Sequence, residues 1–110
     1  MNDADAVKAL GALAQGDRLA AFRLLMQAGP DGLASGEVAG TLAIAPTRMS
    51  FHLTTLERAG LLVTRREGRR IVYSVAFEKM RGLLGFLTED CCGGHPEICG
   101  VSSRLNQEDC

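Results

Sequence analysis

The chain has 110 residues, 46% of them hydrophobic but only 5% aromatic with no Trp, and a net charge of −1. That length fits one small domain with a thin aliphatic core, which chains of this size often enlarge by dimerising. The longest apolar runs, such as Leu83–Leu87, fall far short of the roughly 20 residues a membrane helix needs. The start Met1-Asn2-Asp3-Ala4-Asp5 lacks the basic and apolar regions of a signal peptide, so a cytoplasmic setting is expected.

Residues 4–14 predict a short helix with Val7, Leu10 and Leu13 or Ala14 at helical spacing. Gly16 should break it, and Asp17 is a suitable cap for a second helix that runs to about Ala28 with Leu19, Phe22, Leu25 and Met26 on one face. The cluster Gly29-Pro30-Asp31-Gly32 ends that helix. Ser35 can cap a third helix, Gly36 to Leu42, with Glu37 favouring its positive end. Ala43-Ile44-Ala45 is a tight connection, and Pro46 suits the first turn of a fourth helix that runs to Ala59 and stops at Gly60. Leu61–Arg66 and Arg70–Phe77 read as two strands flanking Glu67-Gly68-Arg69, a hairpin with glycine at its tip. Glu78–Thr88 predicts a last helix with Met80, Leu83, Leu84 and Leu87 at helical spacing. Beyond Asp90 the Gly, Pro and Cys content predicts an irregular tail.

Charge is segregated along the chain: residues 1–43 sum to −2, residues 44–81 to +5 and residues 82–110 to −4. A local surplus of this kind can serve nucleic acid even when the whole chain is slightly acidic. Two short helices with a tight connection, followed by a two-stranded hairpin, describe a winged helix-turn-helix, mainly α with a β wing. In the fourth helix Met49, Leu53 and Leu56 share one face and must look inward. The other side presents Thr47, Phe51, Thr54 and Arg58, flanked by Arg48, Thr55 and Ser50. Such side chains can bond base edges or phosphates, and Phe51 or a Thr methyl can touch thymine methyls. Arg65, Arg66, Arg69 and Arg70 at the hairpin tip would hold guanidiniums over the DNA backbone or a minor groove. His52 lies between the two faces and reads as a packed, hydrogen-bonded structural histidine. The expected DNA-contacting set is Thr47, Arg48, Ser50, Phe51, Thr54, Thr55, Arg66, Arg69 and Arg70, acting on double-stranded operator DNA.

The stretch Met49-Ser50-Phe51-His52-Leu53-Thr54-Thr55-Leu56-Glu57-Arg58-Ala59-Gly60-Leu61-Leu62 resembles the recognition helix of the ArsR/SmtB family of bacterial metal-responsive repressors, which carries Ser-x-His-Leu-x-x-Leu and an Ala-Gly-Leu turn into the wing. Arg66-Glu67-Gly68-Arg69-Arg70-Ile71-Val72-Tyr73 is similar to the family's Arg-x-Gly-Arg-x-x-x-Tyr wing, and Leu13–Leu25 to its Leu-x-x-x-x-Arg-Leu helix. The resemblance covers roughly residues 6–88. It implies a homodimer joined through its first and last helices that represses a resistance operon until an inducer binds. Two family sites are missing: the third helix, Ser35–Leu42, holds no thiol, and Met80–Thr88 offers none of the Asp and His ligands of zinc sensors.

All four cysteines follow the last helix, in Cys91-Cys92-Gly93-Gly94-His95-Pro96-Glu97-Ile98-Cys99 and at Cys110. Clustered thiolates suit thiophilic ions or a reversible disulfide. Within the family, Cys91, Cys92 and Cys99 look like the site of arsenical repressors with a Cys pair and a third Cys just past that helix. The inducer this implies is trivalent arsenic, inorganic or organic, or antimony. Three other readings stand beside it: a zinc site of the three cysteines with His95, a redox pair using Cys110, and a tail without a ligand. The expected division is residues 1–90 for DNA binding and dimerisation and residues 91–110 for the inducer. No paired-carboxylate, Ser-His-Asp or phosphate-loop pattern can be placed, so no enzyme is expected.

Overall fold

The computed structural model describes residues 1–88. Capping divides them into helices α1 (Asp3–Leu13), α2 (Gly16–Ala28), α3 (Ser35–Leu42), α4 (Pro46–Arg58) and α5 (Phe77–Thr88), and strands β1 (Leu33–Ala34), β2 (Leu62–Glu67) and β3 (Arg70–Val75). The strands form one antiparallel sheet in the order β1-β3-β2. Strand β1 is too short to show a period in the sequence. It exists because Leu33 and Ala34 pair with Tyr73 and Val72, a contact across some 40 residues of chain.

Two caps differ from those the sequence predicts. Asp17 does not cap α2. Gln15, in an extended conformation, accepts from the Arg18 N–H at 2.9 Å, and Gly16 is already helical. Ser35 does not cap α3 either. It lies inside the first turn, while the Glu37 carboxylate reaches back to the Ala34 N–H at 2.8 Å.

Helix α4 is bounded by two turns of the same type. At the end of α3, Ile44 N–H donates to Ala39 O (3.0 Å) and Ala43 N–H to Gly40 O (3.3 Å) around a left-handed Ala43, φ 54°. At the end of α4, Leu61 N–H donates to Leu56 O (3.0 Å) and Gly60 N–H to Glu57 O (2.9 Å) around Gly60, φ 84°. Both are Schellman motifs, which reverse the chain while satisfying the last helical carbonyls. The first fixes the sharp α3-to-α4 turn, and the second feeds Leu61 into the hairpin. At the hairpin tip Glu67 pairs with Arg70, leaving the two-residue loop Gly68-Arg69 with Gly68 at φ 63°. A positive φ at the first loop residue alone is what a type II′ hairpin requires.

The core gathers Phe22 and Leu25 of α2, Val38 of α3, Met49, Leu53 and Leu56 of α4, Leu61, and Leu62, Tyr73 and Val75 of the sheet. Helix α1 meets it through Ala6, Ala9 and Ala12, not through the larger residues: Val7 is 69% exposed, and Leu10 is exposed too. Likewise α2 buries Ala21, Phe22 and Leu25 while Leu19 and Met26 stay outside. Helix α5 buries Leu83, with Met80 and Phe86 half-buried and Leu84 and Leu87 exposed. Helical spacing marks an apolar stripe wider than the core of this chain covers, and small alanines let α1 approach closely. No helix among the described residues is long and apolar enough to cross a membrane.

Candidate nucleic-acid interface

Helix α4 divides as its sequence predicts. Met49, Leu53 and Leu56 are fully buried, and Thr47, Arg48, Ser50, Phe51 and Arg58 are exposed. Phe51 is 65% exposed, which leaves its ring free to meet a base or a thymine methyl. The first turn carries no acidic side chain, so the positive end of the helix is left to face an anion. Thr54 and Thr55 are half-buried. Thr55 Oγ1 donates to Phe51 O at 3.0 Å, and Thr55 also lines a cleft against α1. Ser50 Oγ lies 3.3 Å from Ser35 Oγ, which ties the outer face of α4 to the start of α3.

The wing guanidiniums fall into two pairs. Arg65 folds back on the body: it donates to Asp31 O (2.7 Å) and Pro30 O (3.2 Å) and contacts Glu67 at 2.8 Å. Arg70 pairs with Glu37 at 2.8 Å. Arg66 and Arg69 are exposed and have no ion pair among the described residues. Two guanidiniums thus project freely, while Arg65 and Arg70, each still about half exposed, also contact the domain. Side chains alternate along a strand, so Arg65 shares one face with Glu67 and, across the ladder, Arg70, while Arg66 lies on the other.

Asp17 and Glu37, read from the sequence only for their places at helix starts, also have side-chain partners on other elements. Asp17 Oδ2 accepts from Arg48 at 3.3 Å and lies 3.7 Å from His52 Nε2. His52 is buried as expected, yet neither ring nitrogen has a hydrogen-bond partner among the described residues, so its expected hydrogen bond is not present. The Glu37 carboxyl is held below its ordinary value chiefly by the Ala34 N–H; desolvation opposes this, and the Arg70 guanidinium adds to the depression. Only their helical positions were legible. Their partners stand 31 to 35 residues away. Cys91, Cys92, Cys99, Cys110 and His95 lie outside the described residues. Among the described residues no group of three or more His, Cys, Asp or Glu side chains could hold a metal ion.

A core-anchored helix with a polar outer face, preceded by a short helix and followed by a protruding basic hairpin, is a DNA-reading arrangement. A helix-turn-helix domain family matches residues 13–65. The transcriptional activator HlyU of Vibrio cholerae is 30% identical over 91 residues, covering 83% of this chain and 82% of HlyU. The chain belongs to the ArsR/HlyU-type helix-turn-helix transcriptional regulators. Among solved structures, a homodimeric winged helix-turn-helix DNA-binding domain from Mycobacterium bovis, described as a possible ArsR-family regulator, shares 28% identity with a TM-score of 0.65, covering 86% and 90% of the two chains. An ArsR-like regulator from Rhodococcus sp. RHA1 superposes with a TM-score of 0.73 over 93% and 92% of the chains. At 18% identity it attests the fold alone. The relatives of this ArsR/HlyU-type regulator are transcription regulators, not enzymes.

Proposed function

We propose that this protein is a dimeric repressor that holds operator DNA through α4 and the wing and lets go when trivalent arsenic is bound by Cys91, Cys92 and Cys99. The reading rests on one observation: every thiol lies past Thr88, where α5 ends, and the described residues hold no alternative metal cluster. Three soft thiolates match the donor preference of trivalent arsenic, and Gly93-Gly94 places no bulk between the Cys pair and Cys99.

The dimer follows from surface left over on α1 and α5. Val7, Leu10, Leu84 and Leu87 are exposed on two helices that touch each other, and a second copy would bury them. The homodimeric Mycobacterium bovis relative supports this. Two α4 helices would then enter successive major grooves about one turn of DNA apart. Ligation at Cys91, three residues beyond Thr88, would restrain α5 and so the spacing of the two α4 helices. A coupling of about 1–3 kcal/mol would lower DNA affinity about 5- to 150-fold.

A redox reading has support in a structure described as reduced HlyU from Vibrio cholerae, 30% identical with a TM-score of 0.61. In this chain such a switch would have to use the tail, because residues 1–90 contain no cysteine. A DNA-release titration of the full chain with arsenite, phenylarsine oxide, zinc and peroxide decides between these readings. Arsenite should release the operator, and Ser at Cys91, Cys92 or Cys99 should abolish release, while Cys110→Ser and His95→Ala leave it nearly intact. A chain ending at Thr88 should bind DNA and ignore arsenite. Zinc or peroxide acting where arsenite does not would overturn the proposal.

A further inference from the structure

A cavity of about 290 Å³ opens between α1, α2 and the C-terminal end of α4. Lys8 of α1, Arg18 of α2 and Arg58 of α4 line it, with Thr55 and the small residues Gly11 and Ala12. No acidic side chain lines it, and none of the three cations forms an ion pair among the described residues. Arg18 is only partly exposed, and its Nε–H is shielded from solvent without an acceptor among the described residues. The Thr55 hydroxyl is committed to Phe51 O, so the donors that remain are two guanidiniums and an ammonium.

Three positive charges around one cleft repel one another. A buried guanidinium N–H calls for an acceptor, preferably a charged one. We propose that this cavity is an oxyanion site that takes a phosphate-type group. Its volume is about ten times the share of one liquid water, enough for inorganic phosphate or a small phosphate monoester. Gly11 and Ala12 keep the α1 wall low, and the guanidiniums supply the planar forks that suit phosphate oxygens. The site uses no residue of the tail, so it stands or falls apart from the arsenical reading.

The phosphate has two sources: a free anion, or the DNA backbone beside α4. Arg58 is ten residues beyond Arg48 on the same helix, about 15 Å along its axis, so a DNA phosphate reaching it would extend the footprint well past the Thr47–Phe51 surface.

The test titrates the full chain with inorganic phosphate at constant ionic strength, against chloride, and follows the amide NMR signals of Gly11, Ala12, Thr55 and Ala59. Saturable shifts specific to phosphate are expected. Lys8→Gln should weaken phosphate about threefold or more, and Arg18→Gln about tenfold or more, as befits an exposed and a partly buried charge. Lys8 is exposed, so its replacement tests the site even if Arg18→Gln disturbs folding. Shifts that chloride reproduces, that never saturate, or that Lys8→Gln leaves unchanged would overturn the proposal. The salt dependence of operator binding separates the sources. A slope lowered by about one in Lys8→Gln marks a backbone phosphate, and an unchanged slope with phosphate still bound marks a free anion.

Discussion

Replacing Arg69 or Arg66 with alanine should change how DNA binding responds to salt, whereas replacing Arg65 should not. Arg66 and Arg69 project from the hairpin without an ion pair among the described residues, while Arg65 is committed to Pro30 O, Asp31 O and Glu67. Each phosphate contact adds about 0.9 to the slope of log affinity against log salt. Between 50 and 200 mM salt, losing one contact should therefore reduce the salt-induced loss of affinity by about 3.5-fold, and losing both by about 12-fold. Arg65→Ala instead removes charged hydrogen bonds to two carbonyls from a side chain 43% exposed. Screening holds their net worth to about 1 kcal/mol, which corresponds to about 4–8 °C in Tm for a domain of this size. Fluorescence anisotropy of an operator duplex over a salt series reads the first effect, and thermal unfolding followed by circular dichroism reads the second. If Arg65→Ala flattened the slope as much as Arg69→Ala, or Arg69→Ala left it unchanged, the division of the wing into projecting and bracing arginines would be wrong.

Leu87→Glu or Val7→Glu should give a monomer in sedimentation experiments and a large loss of operator affinity with secondary structure retained, because both side chains are already exposed in the single subunit. Gly32→Ala should cost about 3 kcal/mol or more in urea unfolding, since Gly32 has φ 67° and a Cβ there would collide with the Tyr73 carbonyl oxygen. The pH dependence of stability should contain a contribution from Glu37. Its depressed pKa adds stability that is present above the ordinary 4.5 and is lost as pH falls through the lower folded value. Glu37→Gln should therefore narrow the difference in Tm between pH 7 and acid on the low side of that value. An unchanged difference would mean the Ala34 and Arg70 contacts do not persist in solution.

The helices, the hairpin and the recognition helix with its inward and outward faces could all be read from the chain. Each depends on periodicity or on a local stop signal such as Pro46, Gly60 or Gly68. The caps were less legible: Gln15 and Glu37 were not distinguished from Asp17 and Ser35, because several polar side chains near a helix start can reach its N–H groups, and small differences in entry angle choose among them. The inward and outward faces of α4 were legible, but in the wing the sequence did not distinguish the paired Arg65 and Arg70 from Arg66 and Arg69.

By itself the sequence determined the order of elements, the burial of Met49, Leu53 and Leu56, the sharp turns around α4, and the confinement of every thiol to the last twenty residues. Those are properties of short stretches, governed by backbone preference and by spacing along one helix or strand. Tertiary structure alone decided that β1 exists, that α1 packs through alanines and leaves Val7 and Leu10 outside, that Asp17 meets Arg48 and Glu37 meets Arg70, and that Lys8, Arg18 and Arg58 share one cleft. Each of these brings together residues far apart in the chain, and which surfaces meet depends on how whole elements fill the core, a question no local pattern encodes.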